Sequence, residues 1–318
     1  MGNETRGSCS WRRIASRALP WLLMVALLVA SMGTMGNASA HGQRTGEGAL
    51  TRAPRSAPLS AADRANLLHN WRMGCLGKRP APLGQVIHSG VNISAGHAAP
   101  MEVALTFDDG PTPDSTTPIL DYLEKTHTPA TFFVMGQYAR QWPGLLRREW
   151  RDGFAIGIHT WNHPYMTRLS YDQQHAQFVD TQSAIRDALG GDPCIWFWRP
   201  PYMDQDAQVI AHAASLGLTT IDWDDDTRDW SRPGAQAIAA TALAEAHPGA
   251  IIIMHDGPAN REETLATLPL ILEGLKARGL TPVTVPQLLM DGGYTEVHLP
   301  TGPGAPLARV PALVATTR

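Results

Sequence analysis

An apolar run, Val103-Ala104-Leu105-Thr106-Phe107, ends in two adjacent carboxylates, Asp108 and Asp109, followed at once by Gly110 and Pro111. The run reads as the end of a buried strand and Gly-Pro as a turn, so both acids stand where a strand gives way to a loop. Acids placed there can ligate a cation or take up a proton, or the first can bond its own backbone in a turn. His159 and His163 form a second group, at the i, i+4 spacing that brings two imidazoles to one side of a helical turn. With a nearby carboxylate they make the two-His, one-carboxylate set that suits a catalytic zinc with one position left for water. The glutamate of the His-Glu-x-x-His motif is absent, which argues against a protease of that class. Arg199 and Tyr202, the acidic stretch from Asp222 to Asp229, and His255-Asp256 complete the candidates.

Elements that could position these groups follow from periodicity. Apolar runs near 102–106, 130–134, 154–158, 195–198, 218–222, 250–254 and 281–285 predict strands, and amphipathic stretches near 114–125, 137–151, 170–189, 204–216, 234–246 and 260–278 predict helices. Regular alternation implies parallel strands joined by crossover helices, an α/β domain of about 190 residues. Seven strands fit a closed barrel or an open doubly wound sheet, and the pattern alone does not choose between them. The candidates fall after the first strand (Asp108, Asp109), the third (His159), the fourth (Arg199, Tyr202), the fifth (the acidic stretch) and the sixth (His255). All are carboxyl ends, where the ligand sites of both architectures lie.

In order, Thr106-Phe-Asp-Asp-Gly-Pro111, His159-Thr-x-x-His163, Arg199-Pro-Pro-Tyr202, Asp226-Thr-Arg-Asp-Trp230 and Ile253-Met-His255 resemble the five motifs of the polysaccharide deacetylases, the NodB-homology domain of carbohydrate esterase family 4. The resemblance spans about residues 101–290. It implies a distorted seven-stranded (β/α) barrel that removes acetyl groups from N-acetylated sugars with a divalent metal, Zn²⁺ first, with Co²⁺ and Ni²⁺ as alternatives. By matched position it implies Asp109, His159 and His163 as metal ligands, Asp108 as general base held ionised by Arg199, and His255 as the acid that protonates the leaving amine, oriented by Asp226. It gives the Tyr202 backbone N–H to the oxyanion, Trp230 and Pro200 to the substrate wall, and Ile253, where the family usually has Leu, to the acetyl pocket. A bound Zn²⁺ polarises a carbonyl and lowers the pKa of a water towards about 7. Asp222, Asp224 and Asp225 read as a solvated acidic loop, and His127, His175, His212, His247 and His298 receive no role.

The chain of 318 residues opens with four arginines before an apolar run, Leu19–Ala30, and small residues ending Ala38-Ser39-Ala40. This is the layout of a secretory signal at 1–40, with an uncleaved anchor as the rival and the Sec or twin-arginine route left open by Arg12-Arg13. Its removal takes away four Arg and one Glu, moving the formal net charge from -3 to -6. An acidic exported chain gives no support to nucleic-acid binding. Cys75 and Cys194 then remain, either paired as a disulfide or as two buried thiols. Residues 41–100 read as a linker and N-terminal extension, with a short helix at Ala61–Met73, and 291–318 as a tail. The expected protein is a secreted or wall-associated monomer with a glycan partner (peptidoglycan or chitin-like) and no stable membrane insertion after signal cleavage. An O-acetyl xylan esterase of the same fold, or a non-catalytic glycan-binding wall protein, is the alternative.

Overall fold

The computed structural model describes residues 83–91 and 98–294. The expected signal, most of the expected linker with its helix, Cys75, His298 and the residues beyond 294 lie outside them.

Among the described residues nine strands form one sheet: β1 (Val86–Ile87), β2 (Glu102–Asp108), β3 (Thr131–Val134), β4 (Ala155–Ile158), β5 (Phe197–Trp198), β6 (Thr219–Ile221), β7 (Asp225–Asp226), β8 (Ile251–His255) and β9 (Thr281–Val283). They lie in the order β1-β6-β5-β4-β3-β2-β8-β7, with β9 also on β2, and every pairing is parallel. Eight α-helices among the described residues connect or cover them: α1 (Pro113–Thr126), α2 (Gly136–Gln141), α3 (Pro143–Arg151), α4 (Tyr171–Leu189), α5 (Ala207–Ser215), α6 (Ala235–Glu245), α7 (Glu262–Ala277) and α8 (Val285–Asp291). The seven expected strands are all present. The sheet curls far enough for Arg199, just past β5, to reach Thr106 and Asp108 on β2, and the two end strands β1 and β7 share no pairing among the described residues. The architecture is the distorted α/β barrel, not a flat doubly wound sheet.

The period of two along each strand sorts the two faces. On β2, Val103, Leu105 and Phe107 join the outer core with Ile119, Leu120 and Leu123 of α1, while Ala104 joins an inner cluster with Phe133, Phe197 and Ile251. Thr106 and Asp108 continue the inner row. On β4 and β8 the same alternation sends Ile158 and Met254 outward and leaves His159 and His255, one residue on, facing in. Asp108 and His255 are register partners across β2 and β8. One inner row therefore changes from apolar at the amino ends of the strands to ionisable at the carboxyl ends.

Two segments depart from the expected boundaries. Residues 86–87, within the stretch read as linker, pair with β6, and Gly90 donates to the Gly249 carbonyl at 2.7 Å. Past Val283 the chain forms α8, whose Val285, Leu288 and Leu289 fill the inner cluster. Cys194 is disulfide-bonded. No described helix is long and apolar enough to cross a membrane.

Candidate active site

The carboxyl-end row converges on a cavity of about 500 Å³ lined by Asp108, Asp109, His159, His163, Pro200, Tyr202, Trp223, Asp226, Trp230, Ile253, His255 and Arg261. Every residue to which the family resemblance gives a metal, catalytic or substrate role lines it except Arg199, which lies directly behind Asp108.

Asp109 holds a left-handed φ of +78°, and Thr160, His163 and Tyr202 do likewise at +65°, +62° and +59°. Such backbone costs about 1–3 kcal/mol per non-glycine residue and persists only where the surroundings enforce it. It turns Asp109 away from the strand alternation, so that both acids face the cavity. Asp109 Oδ1 lies 3.3 Å from His159 Nε2 and 3.3 Å from His163 Nε2. Two ligands about 2.0–2.1 Å from a tetrahedral zinc stand about 3.3 Å apart, so these two edges match. Three further observations fit a cation. Asp109 Oδ1 is buried with no well-aimed hydrogen-bond donor among the described residues. His159 Nδ1 lies 2.9 Å from the Arg199 carbonyl, which fixes the ring with Nε2 facing inward, and although burial disfavours its charge, Asp108 and Asp109 raise this imidazole above its ordinary value, the attraction a bound cation would take over. Burial and the neighbouring His159 push the His163 imidazole down to about 4, so it presents a lone pair at neutral pH. Burial alone would raise the Asp109 carboxyl, but His159, His255 and His163 together hold it well below the usual carboxylate range. The three donor atoms lie within 4.8 Å of one another.

Asp108 is buried and receives Arg199 Nη1 on Oδ1 at 2.8 Å, while Oδ2 stands 3.8 Å from His159 Nε2. Arg199 is wholly buried. It also donates to Thr106 Oγ1 (2.7 Å) and to the carbonyls of Asp222 (3.0 Å) and Ile221 (3.2 Å), and its guanidinium lies over the Phe133 ring at 4.0 Å. One oxygen of Asp108 is thus pinned, and the other faces the cavity.

Across the cavity, His255 Nδ1 donates to Asp229 Oδ1 at 2.7 Å, and the His255 amide donates to Asp229 Oδ2 at 2.9 Å. Thr264 Oγ1 also donates to Oδ2, at 2.7 Å. Burial disfavours the imidazolium, but Asp229 overcomes it and raises His255 to about 9. The expected partner, Asp226, is not the one found. Its Oδ1 accepts from the Arg228 amide at 2.9 Å, forming an Asx turn, and Arg228 at φ +54° swings the chain so that Asp229 points at His255. Asp226 lines the cavity without touching the imidazole.

Tyr202 stands at the rim, edge-on to His163 and stacked 4.2 Å from Tyr165. Trp230 is exposed at the rim, and Ile253 and Pro200 are buried walls. In the stretch read as a solvated acidic loop, Asp222 and Asp225 are buried and Asp224 is half-buried. Asp222 Oδ2 accepts from Gln205 Nε2 at 2.7 Å, Asp224 Oδ1 from the Ile251 amide at 2.7 Å, and Asp225, driven by burial and then by Glu245, rises to about 8. His247 pairs with Asp224 at 3.0 Å. Trp223 and Arg261 are not among the candidates from the sequence, and Asp229, named there only as part of the acidic stretch and the fourth motif, carries the role expected of Asp226.

A family model for polysaccharide deacetylase matches residues 95–221. The chitooligosaccharide deacetylase of Sinorhizobium fredii is 37% identical over 203 residues, 61% of this chain and 94% of that protein. The chain belongs to the polysaccharide deacetylase family. A Listeria monocytogenes peptidoglycan-N-acetylglucosamine deacetylase is 40% identical over 186 residues, 58% of this chain. Only 38% of that relative is spanned. Among solved structures of the family, the Bc1960 peptidoglycan N-acetylglucosamine deacetylase superposes with a TM-score of 0.60 at 29% identity, over 65% of this chain and 94% of that one.

Proposed function

We propose that this polysaccharide deacetylase is an exported, monomeric, metal-dependent hydrolase that removes the acetyl group from N-acetylglucosamine units of a glycan, peptidoglycan or chitin-like. The observation that carries the reading is the Asp109–His159–His163 triangle, flanked by an arginine-held carboxylate on one side and a carboxylate-held imidazolium on the other. Export rests on residues 1–40, and the glycan class on what the relatives are named for.

Asp109 Oδ1 and the two Nε2 atoms would hold the divalent cation, Zn²⁺ by its donor set. When bound, that cation polarises the amide carbonyl and acidifies a water. Asp108 Oδ2 takes the proton of the attacking water, and Arg199, bonded to Oδ1, keeps the carboxylate aimed. As the C–O bond forms and the C–N bond breaks, His255 delivers its proton to the nitrogen, because an amide anion does not leave unprotonated. The Tyr202 backbone N–H faces the oxyanion, Ile253 walls the acetyl methyl, and Trp230 and Tyr202 offer aromatic faces to the sugar.

The test is acetate release from chitooligosaccharides, peptidoglycan and acetylated xylan, with and without a chelator. Chelator-sensitive release from the N-acetylated glycans supports the reading. Release from xylan alone would make the chain an O-acetyl esterase, and chelator-insensitive glycan binding without acetate would make it a binding protein.

A further inference from the structure

The two oxygens of Asp109 have different neighbours. Oδ1 faces His159 and His163 at 3.3 Å, whereas Oδ2 faces Arg261 Nη2 at 4.0 Å. Rotation of a carboxylate about its last torsion is soft, so the side chain's own stereochemistry does not decide which oxygen meets a cation. The loop between β8 and α7 supplies that decision. Gly257 packs so close that a Cβ there would lie 2.1 Å from Asp109 Cβ, and Arg261, four residues later, returns to the same carboxylate. Arg261 is 9% exposed, and its Nε has no hydrogen-bond partner among the described residues. It occupies the N-cap of α7 without a side-chain capping bond, so the helix does not account for its burial. A buried guanidinium normally has a carboxylate to offset its desolvation, and Asp109 is the carboxylate within reach.

We propose that Arg261 is a positioning residue: it draws on Asp109 Oδ2 and so commits the carboxylate to bind the metal through Oδ1 alone. This rests on the metal reading above. A carboxylate free to use both oxygens would take up coordination space that a hydrolytic site keeps open. With Arg261 in place, Asp109 supplies one donor and the open position survives.

The experiment substitutes Co²⁺ into stripped wild-type, R261M, R261Q and R261K proteins and records the visible d–d absorption beside acetate release. The band is intense for four-coordinate cobalt and weakens as coordination number rises. R261M and R261Q should bind Co²⁺ with a weaker band and lose roughly 10–100-fold in kcat/KM, as outer-shell substitutions at metal sites do. R261K, which keeps the charge, should recover most of the wild-type band. A role in folding alone would leave the band unchanged in whichever neutral variant folds, and that result overturns the proposal while sparing the metal reading. If the wild-type protein binds no Co²⁺, both fall together.

Discussion

Replacing Asp229 by Asn tests whether the structure has identified the correct partner for the proton donor. The His255 imidazole sits at about 9 against an ordinary 6.5. At 1.36 kcal/mol per unit this is ~3 kcal/mol of preference for the charged form. Because burial acts against the charge and Asp229 is its largest support, ahead of Asp109 and Asp108, D229N removes most of the opposition to burial and should bring the imidazole down towards 6.5. The same shift stabilises the fold fully below pH 6.5, and that contribution is lost as pH rises towards about 9. In a pH profile of kcat/KM for acetate release, the wild-type basic limb should lie between these limits, since a cation on Asp109 repels the His255 proton. In D229N the limb should move down by about 2 units, leaving activity only on the acid side. D226N should not move it, because Asp226 serves the turn at Arg228. An unmoved limb in D229N, or a shift in D226N instead, would refute the assignment.

Asp108→Asn should retain metal uptake and lower kcat roughly 100- to 10,000-fold, read by single-turnover acetate release; a fast, metal-loaded D108N would contradict its role as base. Arg199→Met strands the buried Asp108 and should cost roughly 3–5 kcal/mol in urea unfolding, part of it recovered in the D108N/R199M double variant. Glu149 is fully buried, with no hydrogen-bond partner for either oxygen among the described residues, and burial, then Asp256, raises its carboxyl well above 4.5. The fold therefore loses stability as pH rises above the unfolded value, so Glu149→Met should raise the melting temperature, more at about pH 9 than at about pH 5. A lower melting temperature at every pH would contradict this.

The strand ends were legible because apolar runs stop abruptly there, and the period of two then dictates that Asp108, His159, Arg199 and His255 share the inner face. What escaped had local reasons. Strands β1 and β7 are two residues each and carry no period. The apolar run at 281–285 reads as strand to its end, yet Thr284, whose hydroxyl accepts from the Gln287 amide, caps α8, and Pro286 sits in its first turn, where a proline is tolerated. Asp226 and Asp229 are three residues apart and chemically identical, and only the left-handed Arg228 between them determines which one reaches His255. Composition likewise does not show that Asp222 and Asp225 turn into the protein.

The most direct test of the central claim is a zinc titration of the stripped protein with acetate release measured on the same samples. The structure predicts that activity rises linearly to one equivalent per chain and that H159A and H163A variants fail to follow. Full activity in the stripped protein, or an unchanged titration in both variants, would contradict a metal site built on Asp109, His159 and His163.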